Sequence, residues 1–222
     1  MSDSDPDGGT EPAKLGFRHL LIGILITFLL AISIPTQVIG APLRVALLGA
    51  LLILAVHTRR RAGVLGLPAF VTAAVLTATT LLVAIFGSDK ALTSVSQIAT
   101  ALLTVAAIAV LARTLLMTGI VNGSTVNGVL CIYLLIALFF GSLNELFAAL
   151  TPHYVQVAGA PVSTSQMLYF SVITLSTVGY GDITPASSLA QGVAATEALI
   201  GQLYLVSVVA AVVSRYEPRQ KR

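Results

Sequence analysis

The sequence predicts an all-α membrane protein with six transmembrane helices, and with a short re-entrant helix and loop between the fifth and the sixth. Three observations support this fold class. Of the 222 residues, 56% are hydrophobic and 9% are charged, whereas soluble domains carry about 25% charged residues. The apolar residues form six long blocks, and a glycine-containing segment lies between the last two.

The six apolar blocks are suitable for helices that cross a bilayer, since a hydrocarbon core of about 30 Å needs about 20 apolar residues. Segments rich in basic residues, glycine or asparagine separate them, and glycine and asparagine end helices. Examples are HTRRRAG after the second block and MTGIVNGSTVNG after the fourth. The blocks cover residues 17–34, 39–57, 63–86, 91–117, 125–150 and 187–214.

Lysine and arginine predict the orientation, because cytoplasmic loops carry an excess of these residues. If the N-terminus lies inside, ten of the 12 basic residues are cytoplasmic and only Arg44 and Lys90 lie outside. We therefore expect both termini in the cytoplasm and residues 151–186 outside. Residues 1–16 have no hydrophobic pattern, and we expect a disordered cytoplasmic tail there. Residues 217–222 form a second cytoplasmic tail.

The composition argues against several classes of function. There is no HExxH, P-loop or CxxC motif, so we do not expect an enzyme or a small-molecule substrate. Basic residues lie at the ends of apolar blocks rather than on an aromatic-rich face, so we expect no nucleic-acid partner. Cys131 is the single cysteine, which excludes an intrachain disulfide. Membrane lipid is the expected surrounding.

The segment TLSTVGYGDITP, residues 174–185, is unusual between two membrane-spanning blocks. Irregular backbone is not tolerated in contact with lipid, but it occurs where it lines a water-filled path. The preceding STSQMLYFSVITLS, residues 163–176, fits a short helix with Ser163, Thr164 or Ser165 as N-cap. Such a helix would enter the membrane and end near its middle, and residues 177–181 would return as extended chain.

This geometry suits the binding of a cation. The C-terminal end of a helix carries a partial negative charge. Gly179 and Gly181 allow unusual φ angles without steric cost, so that successive carbonyls can turn to one side. Thr177 adds a hydroxyl oxygen at the inner end. Four copies around an axis would stack rings of oxygens that replace the hydration shell of a cation.

With its preceding helix, TVGYGD at residues 177–182 resembles the signature sequence of potassium channels. A looser resemblance to their pore module covers about residues 125–215. It implies a homotetramer with K⁺ as the permeant ion, a pore helix and a selectivity filter. The short chain resembles small prokaryotic channels without a cytoplasmic regulatory domain, which implies a prokaryotic plasma membrane. The implied K⁺ ligands are the carbonyls of Thr177, Val178, Gly179 and Tyr180, with the Thr177 hydroxyl.

Support for the filter is implied by the same resemblance, with two departures. Many family members have two tryptophans where this chain has Tyr169 and Phe170, and Phe170 cannot donate a hydrogen bond. Some bacterial members carry a glutamate at the Ile173 position, paired with the aspartate after the filter. The residues expected to support the filter are Gly181, Asp182, Thr174 and Tyr169.

The last block contains the residues expected to act in gating. The resemblance makes Gly201 a hinge. On an α-helix, Gln202, Leu205, Val209 and Val213 share one face, which the resemblance places toward the central cavity. This face is apolar below Gln202, as expected for a constriction that closes by dewetting.

Glu197 is a further gating candidate, because a carboxyl group in the middle of a span is costly unless it is partnered or functional. It lies about 140° around the helix from Gln202, so both cannot face a pore squarely. Glu197 shares a face with Gly201, where another backbone can approach closely, and the resemblance makes the pore helix that neighbour. We therefore expect Glu197 to pack behind the filter and to pair with the hydroxyl of Thr174 or Ser176. The alternatives are a position that faces the cavity and one that faces lipid or the sensor-like domain.

Residues 17–120 are predicted to form a four-helix domain like a voltage sensor without its gating arginines, followed by the pore domain, residues 121–216. The fourth block carries one arginine, Arg113. Voltage sensors use about three to four gating charges per subunit, each worth about 2.3 kcal/mol per 100 mV. We therefore expect a channel without steep voltage gating, whose gating ligand is unknown.

Two alternatives remain at this point. One is a non-conducting or regulatory subunit that co-assembles with another potassium channel, which the sequence does not exclude. The other is a subunit of a potassium transporter. Transporters of that class have four pore loops in one chain, usually with a single filter glycine each, and this chain has one loop with a complete TVGYG.

Overall fold

The structure of the chain is a computed structural model that describes residues 17–33, 45–51, 71, 74–79, 82, 89–116, 123–157 and 164–214. Helices dominate, as expected for an all-α membrane protein. The elements are α1 (Phe17–Ser33), α2 (Asp89–Leu116), α3 (Gly123–Leu150), β1 (Val155–Val157), α4 (Thr164–Leu175), β2 (Ile183–Pro185), α5 (Ser188–Leu203), a π-helical segment (Tyr204–Val209) and α6 (Ala210–Ser214).

Within the described part of the chain, three stretches are long and apolar enough to cross a membrane. These are Ser94–Leu116, Thr125–Leu150 and Ser188–Val212, and α1 contributes a shorter apolar helix, Arg18–Leu30. They agree with the first, fourth, fifth and sixth apolar blocks. The second and third blocks lie largely outside the described residues, as do both predicted tails, so the count of six spans stays a prediction.

Helix α3 holds the described helices together, because it packs against α1, α2, α4 and α5. Its buried side chains, such as Leu135 and Leu138, join Leu103 of α2 and Leu175 of α4 in one apolar core. Cys131 is buried in this core. The short helix α4 is therefore supported on one side by the full-length helix that precedes it.

A two-stranded ribbon connects the segments before α4 and after the glycine-containing loop. Strands β1 and β2 are antiparallel, with Gln156 opposite Thr184. The amides of Ala186 and Ser187 then donate to the carbonyl of Tyr154. Ser187 is the N-cap of α5, and its hydroxyl accepts from the amide of Ala190 at 3.2 Å. Sequence reasoning missed this ribbon, because three-residue strands are too short to show a period.

Candidate functional site

Helix α4 ends in a Schellman motif, which begins the glycine-containing loop. The amide of Val178 donates to the Ile173 carbonyl at 2.9 Å, and the amide of Thr177 donates to the Thr174 carbonyl at 3.0 Å, which is the bond pair of this motif. Thr177 occupies the left-handed position with φ 58°. Glycine usually fills this position, and a strained β-branched residue there costs about 1–3 kcal/mol. Threonine places a hydroxyl there at that cost.

The loop backbone alternates in the sign of φ. Thr177, Gly179 and Gly181 have φ of 58°, 50° and 81°, whereas the residues between them have negative φ. In an ordinary strand, successive carbonyls point to opposite sides. When the sign of φ reverses at every second residue, every second peptide unit is flipped. Successive carbonyls can then face one side. The unusual angles expected at the two glycines are confirmed, and the angle at Thr177 was missed.

Asp182 ties the C-terminal end of the loop to α4. Its Oδ2 accepts a hydrogen bond from the Tyr169 hydroxyl at 2.9 Å, and its Oδ1 accepts from the Ile183 amide at 3.1 Å. The structure thus brings together two of the residues expected to support the filter. Phe170 is buried against Met167 and Ile183 instead. Thr174, also expected to support the filter, is half-buried.

Gln202 contacts the N-terminal end of the loop. Its Nε2 donates to the Thr177 Oγ1 at 3.0 Å. The resemblance to potassium channels placed Gln202 on a cavity-facing side of the last span, but the sequence named no partner for it. This bond links α5 directly to the hydroxyl that the threonine supplies.

Three helices meet at the C-terminal end of α4. An ideal Cβ at Gly201 would lie 2.2 Å from the Leu175 carbonyl oxygen, so α5 approaches α4 where only glycine fits. The same oxygen accepts from the Tyr133 hydroxyl of α3 at 3.3 Å. The Tyr133 and Tyr204 rings lie 5.9 Å apart, and the Tyr204 hydroxyl donates to the Val129 carbonyl at 2.7 Å. The α4–α5 contact expected at Gly201 is confirmed.

Glu197 is fully buried among α3, α4 and the segment that follows α3. One carboxyl oxygen, Oε1, forms a short hydrogen bond with the Ser171 hydroxyl of α4. The other, Oε2, accepts from Nδ2 of Asn144 in α3 at 3.3 Å, and Oδ1 of Asn144 accepts from the Tyr154 hydroxyl at 2.7 Å. Glu197 therefore joins α5 to α4 and α3, as its expected position behind the loop requires.

The expected partners of Glu197 were wrong. Ser171 takes the place of Thr174 and Ser176. The Ser176 hydroxyl donates to the Val172 carbonyl at 2.6 Å, a local bond that serine commonly forms near a helix end. Ser171 lies in the middle of α4, where the side chains that contact α3 and α5 are buried. A choice between hydroxyls a turn apart depends on the rotation of α4, which its sequence does not define.

Sequence reasoning missed Asn144, Tyr154 and Tyr133 as well as Ser171. Asn144 carried a usable signal, because it and Glu145 interrupt an apolar span, and polar residues in spans are expected to have a role. Burial raises the pKa of Tyr154 to about 12, so its phenol remains a hydrogen-bond donor at alkaline pH as well. Tyr133 and Ser171 had no comparable signal.

The face predicted for the gate assumed a regular α-helix, and this assumption is wrong between Tyr204 and Val209. This segment is π-helical, with hydrogen bonds to the fifth rather than the fourth residue. Such wide turns delay the return of a face by about one residue. Leu205, Val209 and Val213 are therefore not aligned below Gln202 in the way that α-helical spacing suggests.

With that delay, the face of Gln202 continues through Val206, Ala210 and Ser214, which follow it at intervals of four residues. All four side chains are exposed in the chain, and Val206 is 69% exposed. The apolar character expected below Gln202 therefore holds at Val206 and Ala210 but not at Ser214.

Comparison with known proteins concerns the same region. Residues 128–217 match a family model described as Ion channel. Over 55 residues, or 25% of the chain, the sequence is 42% identical to "Two pore potassium channel c" of Oryza sativa subsp. japonica, and the match covers 12% of that relative. No solved structure is significantly similar to the chain.

The ion-channel region, residues 128–217, contains every site residue predicted from the sequence, from Tyr169 to Val213. It also contains Asn144, Tyr154 and Ser171. Together with the apolar helices, the match identifies the chain as a membrane protein that is similar to ion channels in this region.

Proposed function

We propose that the chain is a potassium-selective ion channel that conducts K⁺ passively as a homotetramer and without steep voltage gating. The backbone of residues 177–181 carries this proposal. The amides of Thr177, Val178 and Gly179 donate back to α4 carbonyls. The carbonyls of the loop are thereby left available for another ligand, and the alternation of φ allows them to face one side.

In this mechanism, α4 is a re-entrant pore helix. Its 12 residues span about 18 Å, which is less than a bilayer core of about 30 Å. The carbonyls of Thr177, Val178, Gly179 and Tyr180, with the Thr177 hydroxyl, replace the hydration shell of K⁺ in successive rings. The bond between Tyr169 and Asp182 holds the outer end of the filter, and the bond between Gln202 and Thr177 holds the inner end.

The exposure of α5 supports a homotetramer. Only 11% of the Ser188–Val212 window is buried within the chain, compared with 44% and 56% for the other two candidate spans. Leu199, Leu203 and Val206 are between 64% and 69% exposed. Since each chain has one loop and a complete ring needs four, the proposed assembly places these side chains against other copies.

Potassium is the proposed ion because of the TVGYG segment and because the relative from rice is named as a potassium channel. The absence of steep voltage gating rests on α2. Its buried polar side chains are uncharged, and Arg113 near its end is exposed. We place both termini in the cytoplasm of a multi-pass protein in a prokaryotic plasma membrane.

The test is reconstitution of the purified full chain into liposomes. We expect K⁺-driven flux that is blocked by barium, and a bi-ionic reversal potential that strongly favours K⁺ over Na⁺. Empty liposomes control for leakage. If cross-linking shows the tetramer but no flux occurs, the chain is a non-conducting subunit, and equal permeability for the two ions would contradict potassium selectivity.

A further inference from the structure

A continuous series of hydrogen bonds runs through buried side chains behind the loop. It begins at the hydroxyl of Tyr154, which donates to Asn144 Oδ1 at 2.7 Å, and Asn144 Nδ2 donates to Glu197 Oε2 at 3.3 Å. Glu197 Oε1 contacts the Ser171 hydroxyl, which also lies 2.9 Å from the Ala137 carbonyl of α3. The series thus links the segment that follows α3 and contains Tyr154 with α5, α4 and α3.

A count of protons indicates the state of Glu197. A serine hydroxyl has one proton to donate, and a carbonyl oxygen can only accept. The bond to the Ala137 carbonyl therefore uses the proton of Ser171. The remaining bond, between Ser171 and Glu197, then needs a proton from the carboxyl group. With that proton in place, every group in the series donates to the next, from Tyr154 to Ala137.

The surrounding charges favour the same state. Glu197 has no basic partner among the residues that the structure describes, and α4 and β2 contain no charged residue. The titratable groups nearest to it from other elements are the phenols of Tyr133 in α3 and Tyr154, and Glu145 follows Asn144 in α3. None supplies positive charge. A buried carboxylate without a cationic partner is costly, above all within a membrane.

We infer that Glu197 is a proton-binding site behind the filter, occupied by a neutral carboxylic acid in the conducting state. The inference rests on the proposed channel function for its effect, but not for the proton itself. When the proton leaves to water, the carboxylate takes the proton of Ser171 as a hydrogen bond. The Ala137 carbonyl then loses its hydrogen bond from Ser171, and this one bond between α4 and α3 breaks. Conduction is expected to fall at alkaline pH.

Infrared spectroscopy of the full chain in liposomes tests for the proton without any need for conduction. We expect a carbonyl stretching band of a protonated carboxylic acid at neutral pH, lost on alkalinisation and absent from Glu197→Gln. Glu145→Gln is the matched control, since Glu145 is the other buried acid of the described spans, and it should retain the band. If Glu197→Gln leaves the spectrum unchanged, Glu197 is ionised and the inference is wrong.

Flux measurements test the consequence. In Glu197→Gln the amide donates to Ser171 and its oxygen accepts from Asn144, so the variant imitates the neutral acid. We expect the flux of this variant to be the same at neutral and alkaline pH, whereas the flux of the parent should fall by up to about tenfold per pH unit for each proton released. An equal pH dependence in both would overturn the regulatory role. An infrared band without any flux would refute the channel function and leave the proton site standing.

Discussion

Replacement of Gly201 by alanine tests whether the contact between α5 and the end of α4 is as close as the structure indicates. A Cβ there would lie 2.2 Å from the Leu175 carbonyl oxygen and 2.9 Å from the Leu175 Cδ1. Because a backbone oxygen cannot rotate away, α4 or α5 must shift. Gly192 is the matched control in the same helix, since a Cβ there has no neighbour within 4 Å.

The magnitude follows from the comparison of the two variants. Alanine is favoured over glycine within a helix by about 1 kcal/mol, and this gain is common to both sites. Overpacking costs about 1–3 kcal/mol and applies to Gly201→Ala alone. The free energy of unfolding should therefore be about 1–3 kcal/mol lower for Gly201→Ala than for Gly192→Ala. Loss of the bond from Tyr133 to the displaced Leu175 carbonyl would add about 1 kcal/mol.

The assay is equilibrium unfolding of both variants in the same detergent, with potassium flux measured in parallel. Gly192→Ala should be at least as stable as the parent and should conduct like it. Gly201→Ala should lose stability and show altered flux, because the displaced Leu175 leads directly into the loop. Equal stability of the two variants would refute the close contact, and altered flux with equal stability would favour a hinge without steric contact.

Three further predictions concern the pore. Tyr180→Asp should relax selectivity for K⁺ over Na⁺ while the tetramer persists, as measured by bi-ionic reversal potentials and cross-linking; unchanged selectivity would contradict the role of the loop. Gln202→Leu removes the donor to the Thr177 hydroxyl and should weaken block by barium, whereas Gln202→Asn should retain part of the block. If barium blocks Gln202→Leu as strongly as the parent, the bond is dispensable. Because the π-helical segment places Val206 rather than Val209 on the face of Gln202, Val206→Asp should raise basal current more than Val209→Asp. The reverse order would support the face predicted from regular α-helical spacing.

The sequence by itself determined the features that depend on neighbours along the chain. Hydrophobicity over about 20 residues located the spans, and the described boundaries of α2 and α3 lie within two residues of the predicted blocks. The short helix before the loop and the positive φ of Gly179 and Gly181 follow from local composition and local sterics. The place of Glu197 behind the loop followed from helical spacing and the cost of burying a carboxyl group, together with the resemblance to potassium channels, which named the short helix as its neighbour.

The tertiary structure decided what depends on contacts between distant segments. The partners of Glu197 lie 26 and 53 residues away in Ser171 and Asn144, and the rotation of each helix selects them. Helical periodicity cannot anticipate the π-helical segment, whose first residue, Tyr204, bonds 75 residues away to the Val129 carbonyl. Helix packing sets these pairings, because side chains a turn apart on one helix offer similar groups and only the facing helix distinguishes them.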